Sequence, residues 1–117
     1  MGLKCMDNNK DNNYYIKKIS EDLKFINEHM KDVDFKTYDL DLLLQDSMMF
    51  RMIQISENAK KLTDEYKEKH DDIPWSKLHG LRNYIVHDYG NTDISVIYQT
   101  LTENVPEFLK SIGEDNE

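Results

Sequence analysis

Four side chains within one eight-residue stretch could do chemistry on a phosphodiester: Arg82, Asn83, His87 and Tyr89. A guanidinium can bind a phosphate through two parallel hydrogen bonds, and an imidazole can transfer a proton near neutral pH. An asparagine amide can orient the phosphate or the ribose, and the histidine could then accept the proton of a 2′-hydroxyl group. The segment LRNYIVHDYG therefore predicts a phosphodiester-binding site, with Arg82, His87 and Asn83 as its candidate catalytic residues.

These side chains lie on a predicted helix over about residues 74–89, which would start at Pro74 and stop at Gly90. Arg82 and His87 are five residues apart, about 140° around the helix, whereas Asn83 shares the face of His87. Two such helices that meet across a twofold axis would gather these groups from both chains. We therefore expect a homodimer whose interface includes this helix. His87 lies in the last turn, where the helix dipole favours the imidazolium form.

Each of these residues also has an ordinary structural explanation. Arg82 sits in the middle of a stripe of otherwise apolar or aromatic residues, so its charge would need an acidic partner. Glu57 on the preceding helix is the natural candidate for that supporting role. His87 could be a hydrogen-bonded surface histidine, and Tyr89 could be a core aromatic residue. A metal site that uses His29, His70, His79 or His87 is a further alternative, but no HxxxH or HExxH spacing occurs, so no metal is expected.

The elements that must position these residues are helices, because apolar residues recur at steps of three and four. The first helix carries Ile16, Ile19, Leu23, Ile26 and Met30 on one stripe. The second is expected to run from near Tyr38 towards Lys69, with one apolar face formed by Leu44, Met48, Met52, Ile55, Ala59, Leu62 and Tyr66 and another formed by Leu42, Met49 and Ile53. Two apolar faces indicate either the central helix of the bundle or a helix that contacts a second copy.

The fourth helix should begin after Thr92 or Asp93, and Pro106 should kink it or begin a short fifth helix. We therefore predict an all-α, up-and-down four-helix bundle that forms a homodimer. The helical domain covers residues 12–112, after a flexible arm over 1–11 and before an acidic tail over 113–117.

Composition narrows the range of functions. Fifteen basic and twenty-three acidic residues give a net charge of −8, which disfavours a broad DNA-binding face but permits a compact phosphate site or a basic protein partner. The single cysteine, Cys5, excludes a disulfide framework and favours a cytoplasmic protein. No stretch has the length of apolar sequence that a signal peptide or a membrane span needs, so no membrane partner is expected.

The segment RNYIVHDY has an arginine, four residues, a histidine, one residue and a tyrosine, and in this it resembles HepT-like members of the HEPN superfamily. The flanks IPWSKLHGLRN and HDYGNTDISVIYQTL are similar to the same family. The segment RMIQISENAKKL resembles the family's other characteristic stretch, although Ser56-Glu57-Asn58-Ala59 stands where a Gly-Glu-Ala core is usual. The resemblance covers about residues 14–110.

This resemblance implies a HEPN-like helical fold and a homodimeric, metal-independent endoribonuclease without a cofactor. Arg82 and His87 of both chains would form a shared site on RNA, with transfer RNA as the suggested substrate. The resemblance also implies that the chain is a toxin, whose partner is a nucleotidyltransferase antitoxin of the MNT type that silences it by transferring AMP to Tyr89. The alternative is a non-catalytic HEPN module that binds a nucleotide or serves as the partner subunit of the nucleotidyltransferase. RNA cleavage that depends on Arg82 and His87 would exclude that alternative.

Overall fold

A computed structural model describes residues 11–87 and 93–115, without the side chains of Leu81, residues 84–87, Glu114 and Asp115. These described residues form helices and turns and contain no β-strand. The helices are α1 (Asn12–Met30), α2 (Phe35–Leu40), α3 (Leu42–Lys60), α4 (Asp64–Lys69), α5 (Trp75–His87), α6 (Ile94–Gln99), a π-helical turn (Thr100–Asn104) and α7 (Val105–Asp115).

Four long helical segments build the bundle, because α6, the π-helical turn and α7 follow one another without a break. Helix α1 packs against both α3 and α7, while α5 packs against α3. Their apolar faces form one buried core, which includes Ile19, Ile26, Met48, Ile55, Leu78, Ile97, Leu101 and Ile112. The predicted all-α bundle is confirmed.

Short polar side chains start five of the helices by accepting a hydrogen bond from a backbone amide in the first turn. Asp11 caps α1, Asp34 caps α2 and Asp41 caps α3, with N···O distances of 3.1, 2.8 and 3.0 Å. Thr63 caps α4 and Asp93 caps α6 in the same way, at 3.1 and 2.9 Å. The predicted start of the fourth helix after Thr92 or Asp93 is therefore confirmed.

The prediction of a single second helix from near Tyr38 to Lys69 is wrong, because that segment is divided into α2, α3 and α4. Asp41 ends α2 through a 3.2 Å bond from its amide to the Tyr38 carbonyl, and its side chain begins α3. The buried Gln45 side chain donates to the same Tyr38 carbonyl at 2.8 Å, which stabilises the break. Thr63 separates α4 from α3 by capping a new helix.

The two apolar faces of α3 have different environments. Most of the face that begins at Leu44 is buried in the core, including Met52. On the other predicted face Met49 is also buried, whereas Leu42 is exposed. Helix α3 is therefore central to the bundle, and its exposed apolar residues include Leu43 (81% exposed) and Phe50 (57% exposed), seven residues apart on one side.

Pro106 lies in the first turn of α7, where its missing N–H is tolerated, and the π-helical turn precedes it. The Val105 amide donates to the Thr100 carbonyl, five residues earlier, so the backbone is widened where the proline ring would otherwise crowd the preceding turn. The Thr102 hydroxyl also donates to the Tyr98 carbonyl, a bond that often bends a helix. Of the two predicted alternatives, a kink or a short fifth helix, the structure shows an irregular turn within one continuous helical segment, with α7 beginning at Val105.

The ends of the chain bear on the predicted boundaries. Helix α7 continues to Asp115, so the coil expected from Gly113 is helical as far as that residue. Residues 1–10 and 116–117, which belong to the predicted arm and tail, lie outside the described residues. None of the described helices has the length and apolar character that crossing a membrane requires.

Candidate active site

Arg82 and Glu57 form an ion pair across the contact between α5 and α3. The Arg82 Nε donates to the Glu57 Oε1 at 3.1 Å, and the two side chains are 24% and 40% exposed. Lys60 Nζ lies 3.8 Å from the same carboxylate oxygen, one turn further along α3. The predicted contact between Arg82 and Glu57 is confirmed, and it holds the guanidinium at the edge of the core.

Asn83 extends this cluster along α5. Its Oδ1 accepts a 3.2 Å hydrogen bond from Arg82 Nη1, and its Nδ2 lies 3.4 Å from His79 Nε2. A guanidinium has five N–H donors, and within the described part of the chain Glu57 and Asn83 accept from two of them. The arginine is thus oriented by two neighbours and can still offer hydrogen bonds to an anion.

Helix α3 has a second attachment that keeps Glu57 in position. Arg51 Nη1 lies 2.7 Å from the Asp22 Oδ1 on α1, and the Arg51 guanidinium stacks 3.9 Å from the centre of the Phe25 ring. This pair joins α3 to α1, whereas Glu57 joins α3 to α5. Glu57, six residues further along α3, therefore reaches Arg82 from a helix that is fixed at two surfaces.

His87 and Tyr89 were the remaining predicted site residues. His87 is the last residue of α5, so its backbone continues the helix that carries Arg82 and Asn83. The side chain of His87 is not among those described, and Tyr89 lies outside the described residues. Their roles therefore stay predictions that rest on the motif.

A cavity of about 320 Å³ lies beside the Arg82 cluster, between α3, α4 and the first half of α5. It is lined by Ser56, Ala59, Lys60, Lys67, Trp75, Ser76 and His79. Trp75 is fixed by a 3.1 Å hydrogen bond from its indole nitrogen to the His70 carbonyl. Sequence reasoning missed this cavity, since its walls come from three helices whose packing no spacing pattern reveals.

The described histidines lie against separate partners. His29 Nδ1 is 2.8 Å from the Phe25 carbonyl, and the His70 ring lies 4.3 Å from the ring of Tyr66. Among the side chains that the structure describes, which exclude that of His87, no three His, Cys, Asp or Glu residues gather as metal ligands would.

Comparisons with known proteins agree with the family resemblance of the sequence. The family model described as ribonuclease HepT-like matches residues 19–114. A relative from Caldanaerobacter subterraneus subsp. tengcongensis, named as a candidate RNase, is 28% identical over 100 residues, which span 86% of this chain and 89% of the relative. A probable ribonuclease HepT from Thermococcus cleftensis is 26% identical over 92 residues, which span 79% of this chain and 84% of the relative.

A third relative, a candidate RNase from Methanocaldococcus jannaschii, is 23% identical over 103 residues, which span 88% of this chain and 94% of the relative. These matches extend over most of each protein, so the similarity concerns whole domains and not the motif alone. No solved structure matches the chain significantly.

Proposed function

The chain belongs to the ribonuclease HepT-like family, and from that premise we propose that it is an endoribonuclease that cleaves RNA without a metal ion. The observation that carries the proposal is the half-buried Arg82 guanidinium, which is held between Glu57 and Asn83 at the surface of the bundle. A guanidinium that is fixed in this way can bind the scissile phosphate and stabilise the charge that develops on it.

The proposed reaction is an internal transesterification. The 2′-oxygen of the ribose attacks phosphorus, the bond from phosphorus to the 5′-oxygen breaks, and the products are a 2′,3′-cyclic phosphate and a 5′-hydroxyl. One histidine accepts the proton of the 2′-hydroxyl, and the leaving 5′-oxygen receives a proton from a second donor. We assign the first role to His87 and the second to the same residue of a second protomer.

A homodimer would supply both histidines. The exposed residues Leu43 and Phe50 are seven residues apart on α3, and Glu57 is seven residues beyond Phe50. An exposed apolar line therefore leads along α3 to the Arg82 cluster, since residues at that spacing share one side of a helix. Burial of this line against a second copy would bring two clusters together, which supports a composite site.

The family also suggests how the enzyme is controlled. We propose that it is a cytoplasmic toxin, with transfer RNA as its substrate, and that a nucleotidyltransferase antitoxin silences it by transferring AMP to Tyr89. The modified side chain would carry a phosphodiester two residues from His87, where its negative charge would oppose the RNA phosphate.

The test is cleavage of transfer RNA by the purified protein in EDTA, followed by analysis of the new 3′ ends. We expect 2′,3′-cyclic phosphate ends from the wild type and a loss of at least about 100-fold in rate for His87→Ala and Arg82→Ala. His29→Ala, a histidine on the distant helix α1, is the matched control and should retain full activity. Cleavage that needs added magnesium would contradict the mechanism, and a folded dimer that cleaves no RNA would favour the non-catalytic module.

A further inference from the structure

The cavity beside the Arg82 cluster gathers basic side chains from three helices. Lys60 comes from the end of α3, Lys67 from α4 and His79 from α5. Lys67 is half-buried, and no ion pair of this side chain is found within the described part of the chain. In a protein of net charge −8, this convergence makes a local site for an anion.

Ser56 gives an independent indication that the cavity accepts a ligand. This residue lines the cavity, is only 2% exposed, and its hydroxyl oxygen has no hydrogen-bond partner among the described residues. Buried hydroxyl groups nearly always have a hydrogen-bond partner, because a hydroxyl without one loses its hydrogen bonds to water and gains none in the protein. The oxygen is closed to solvent in this conformation, so the side chain would have to rotate about its Cα–Cβ bond to donate its hydrogen to a phosphate oxygen in the cavity.

The cavity adjoins the candidate active site at His79. His79 lines it and lies 3.4 Å from the Asn83 amide, and Asn83 in turn accepts a hydrogen bond from Arg82. In either protonation state an imidazole can donate a hydrogen bond to an oxygen. A polar path therefore leads from the arginine that would hold the scissile phosphate to the two lysines.

Trp75 lines this cavity, and acidic residues line the depression beyond it. The half-buried indole forms part of the wall, and an aromatic face of this kind can stack on a nucleobase. Asp64, Glu68 and Asp71 line the neighbouring depression, which shares Lys67 and Trp75 with this one. Their charge would repel a further phosphate, so the basic path ends at α4.

We infer that this cavity is a subsite for the RNA phosphate next to the scissile one, held by Lys60, Lys67, His79 and the Ser56 hydroxyl. The inference rests on the proposed ribonuclease function and extends it from one phosphate to two. It also predicts the path of the bound strand across the protomer, which runs from Arg82 on α5 towards α4.

The test compares Lys67→Ala with Lys69→Ala, which removes the same charge from the same short helix. Lys69 is exposed and lies 3.3 Å from Glu65, outside the cavity. The probe is a short RNA oligonucleotide that is 2′-O-methylated throughout, so that it binds without being cleaved. At low salt Lys67→Ala should weaken its binding about tenfold and reduce the slope of log affinity against log salt by about 0.7. Lys69→Ala should stay within about twofold of the wild type.

Ser56→Ala provides a second comparison that does not rely on charge. Removal of an unpartnered buried hydroxyl should leave the Tm unchanged or higher, while binding of the oligonucleotide falls about threefold. Equal affinities for Lys67→Ala and Lys69→Ala, or wild-type affinity for Ser56→Ala, in protein that still cleaves RNA would overturn the subsite alone. A wild-type protein that neither binds nor cleaves RNA would instead overturn the function on which the subsite rests.

Discussion

Substitution of Glu57 tests most directly whether its ion pair with Arg82 positions the guanidinium of the candidate site. Glu57→Gln keeps an oxygen acceptor 3.1 Å from the guanidinium but removes the negative charge. A hydrogen bond to a charged group contributes about 1.5–3 kcal/mol when shielded, and an exposed ion pair contributes about 0.5 kcal/mol. Because the two side chains are partly exposed, we expect a loss of about 1 kcal/mol in the free energy of unfolding, or about 4 °C in Tm.

The same substitution should raise the activation free energy of RNA cleavage by more than it lowers the free energy of unfolding. A guanidinium that is no longer held by a carboxylate would misplace the scissile phosphate, which we expect to lower kcat by about 10- to 100-fold with a smaller change in KM. Glu65→Gln is the matched control, because Glu65 is exposed on α4 and pairs with Lys69. Urea unfolding and steady-state cleavage of the same samples are the assays. Full activity of Glu57→Gln, or equal loss in both variants, would refute the positioning role of Glu57.

Three other predictions address the dimer, its control and its dependence on pH. Phe50→Glu, on the exposed line of α3, should give a monomer by light scattering and lose cleavage activity. Lys17→Glu, at an exposed position on α1, should change neither the oligomeric state nor the activity. If Phe50→Glu remains a dimer, α3 is not the interface. Tyr89→Phe should cleave RNA but gain no AMP-sized mass after incubation with a cognate nucleotidyltransferase and ATP, and an equal mass increase on wild type and variant would place the modification elsewhere. Hydrogen bonds from the Ser95 hydroxyl and amide lower the pKa of Asp93 in the folded state. The cap therefore stabilises the fold fully above the pKa that Asp93 has in the unfolded state. This stabilisation is lost as the pH falls through the lower pKa of the folded state. The Tm difference between wild type and Asp93→Ala should therefore be larger near pH 6 than below about pH 3, and a constant difference would contradict this account.

The contact between Arg82 and Glu57 was predictable because a partly buried charge needs an opposite charge beside it. Helical spacing put Arg82 among apolar residues, and a guanidinium in that position requires an acidic partner, which identified Glu57. Capping chemistry is equally local, since Asp93 and Pro106 act on the turns that contain them. These predictions depended on neighbours along one helix or on one contact between adjacent helices.

The predictions that failed needed information that apolar spacing does not contain. Apolar residues continue at helical steps past Asp41 and Thr63, although Asp41 ends α2 as it caps α3, and Thr63 caps α4 after α3 has ended at Lys60. Spacing also cannot distinguish a buried apolar residue from an exposed one, so Met49 and Leu42 were assigned to one face although only Met49 is buried. The cavity that contains Lys67 depends on how α4 lies against α3 and α5, which no local pattern specifies.

The charge distribution explains how so acidic a protein could still act on a polyanion. Twenty-three acidic residues repel RNA over most of the surface, so a strand gains by binding only where cations converge. Arg82, Lys60 and Lys67 form such a place, and Glu57 neutralises only part of their charge. With about two phosphates bound per protomer, the slope of log affinity against log salt would be only about −1.4 per site, far below that of a protein that coats a nucleic acid. Selection of one phosphodiester would then depend on the shape of a small site and on the second copy of that site across the dimer. Because RNA would bind weakly elsewhere on the surface, the enzyme would dissociate readily from RNA that it does not cleave.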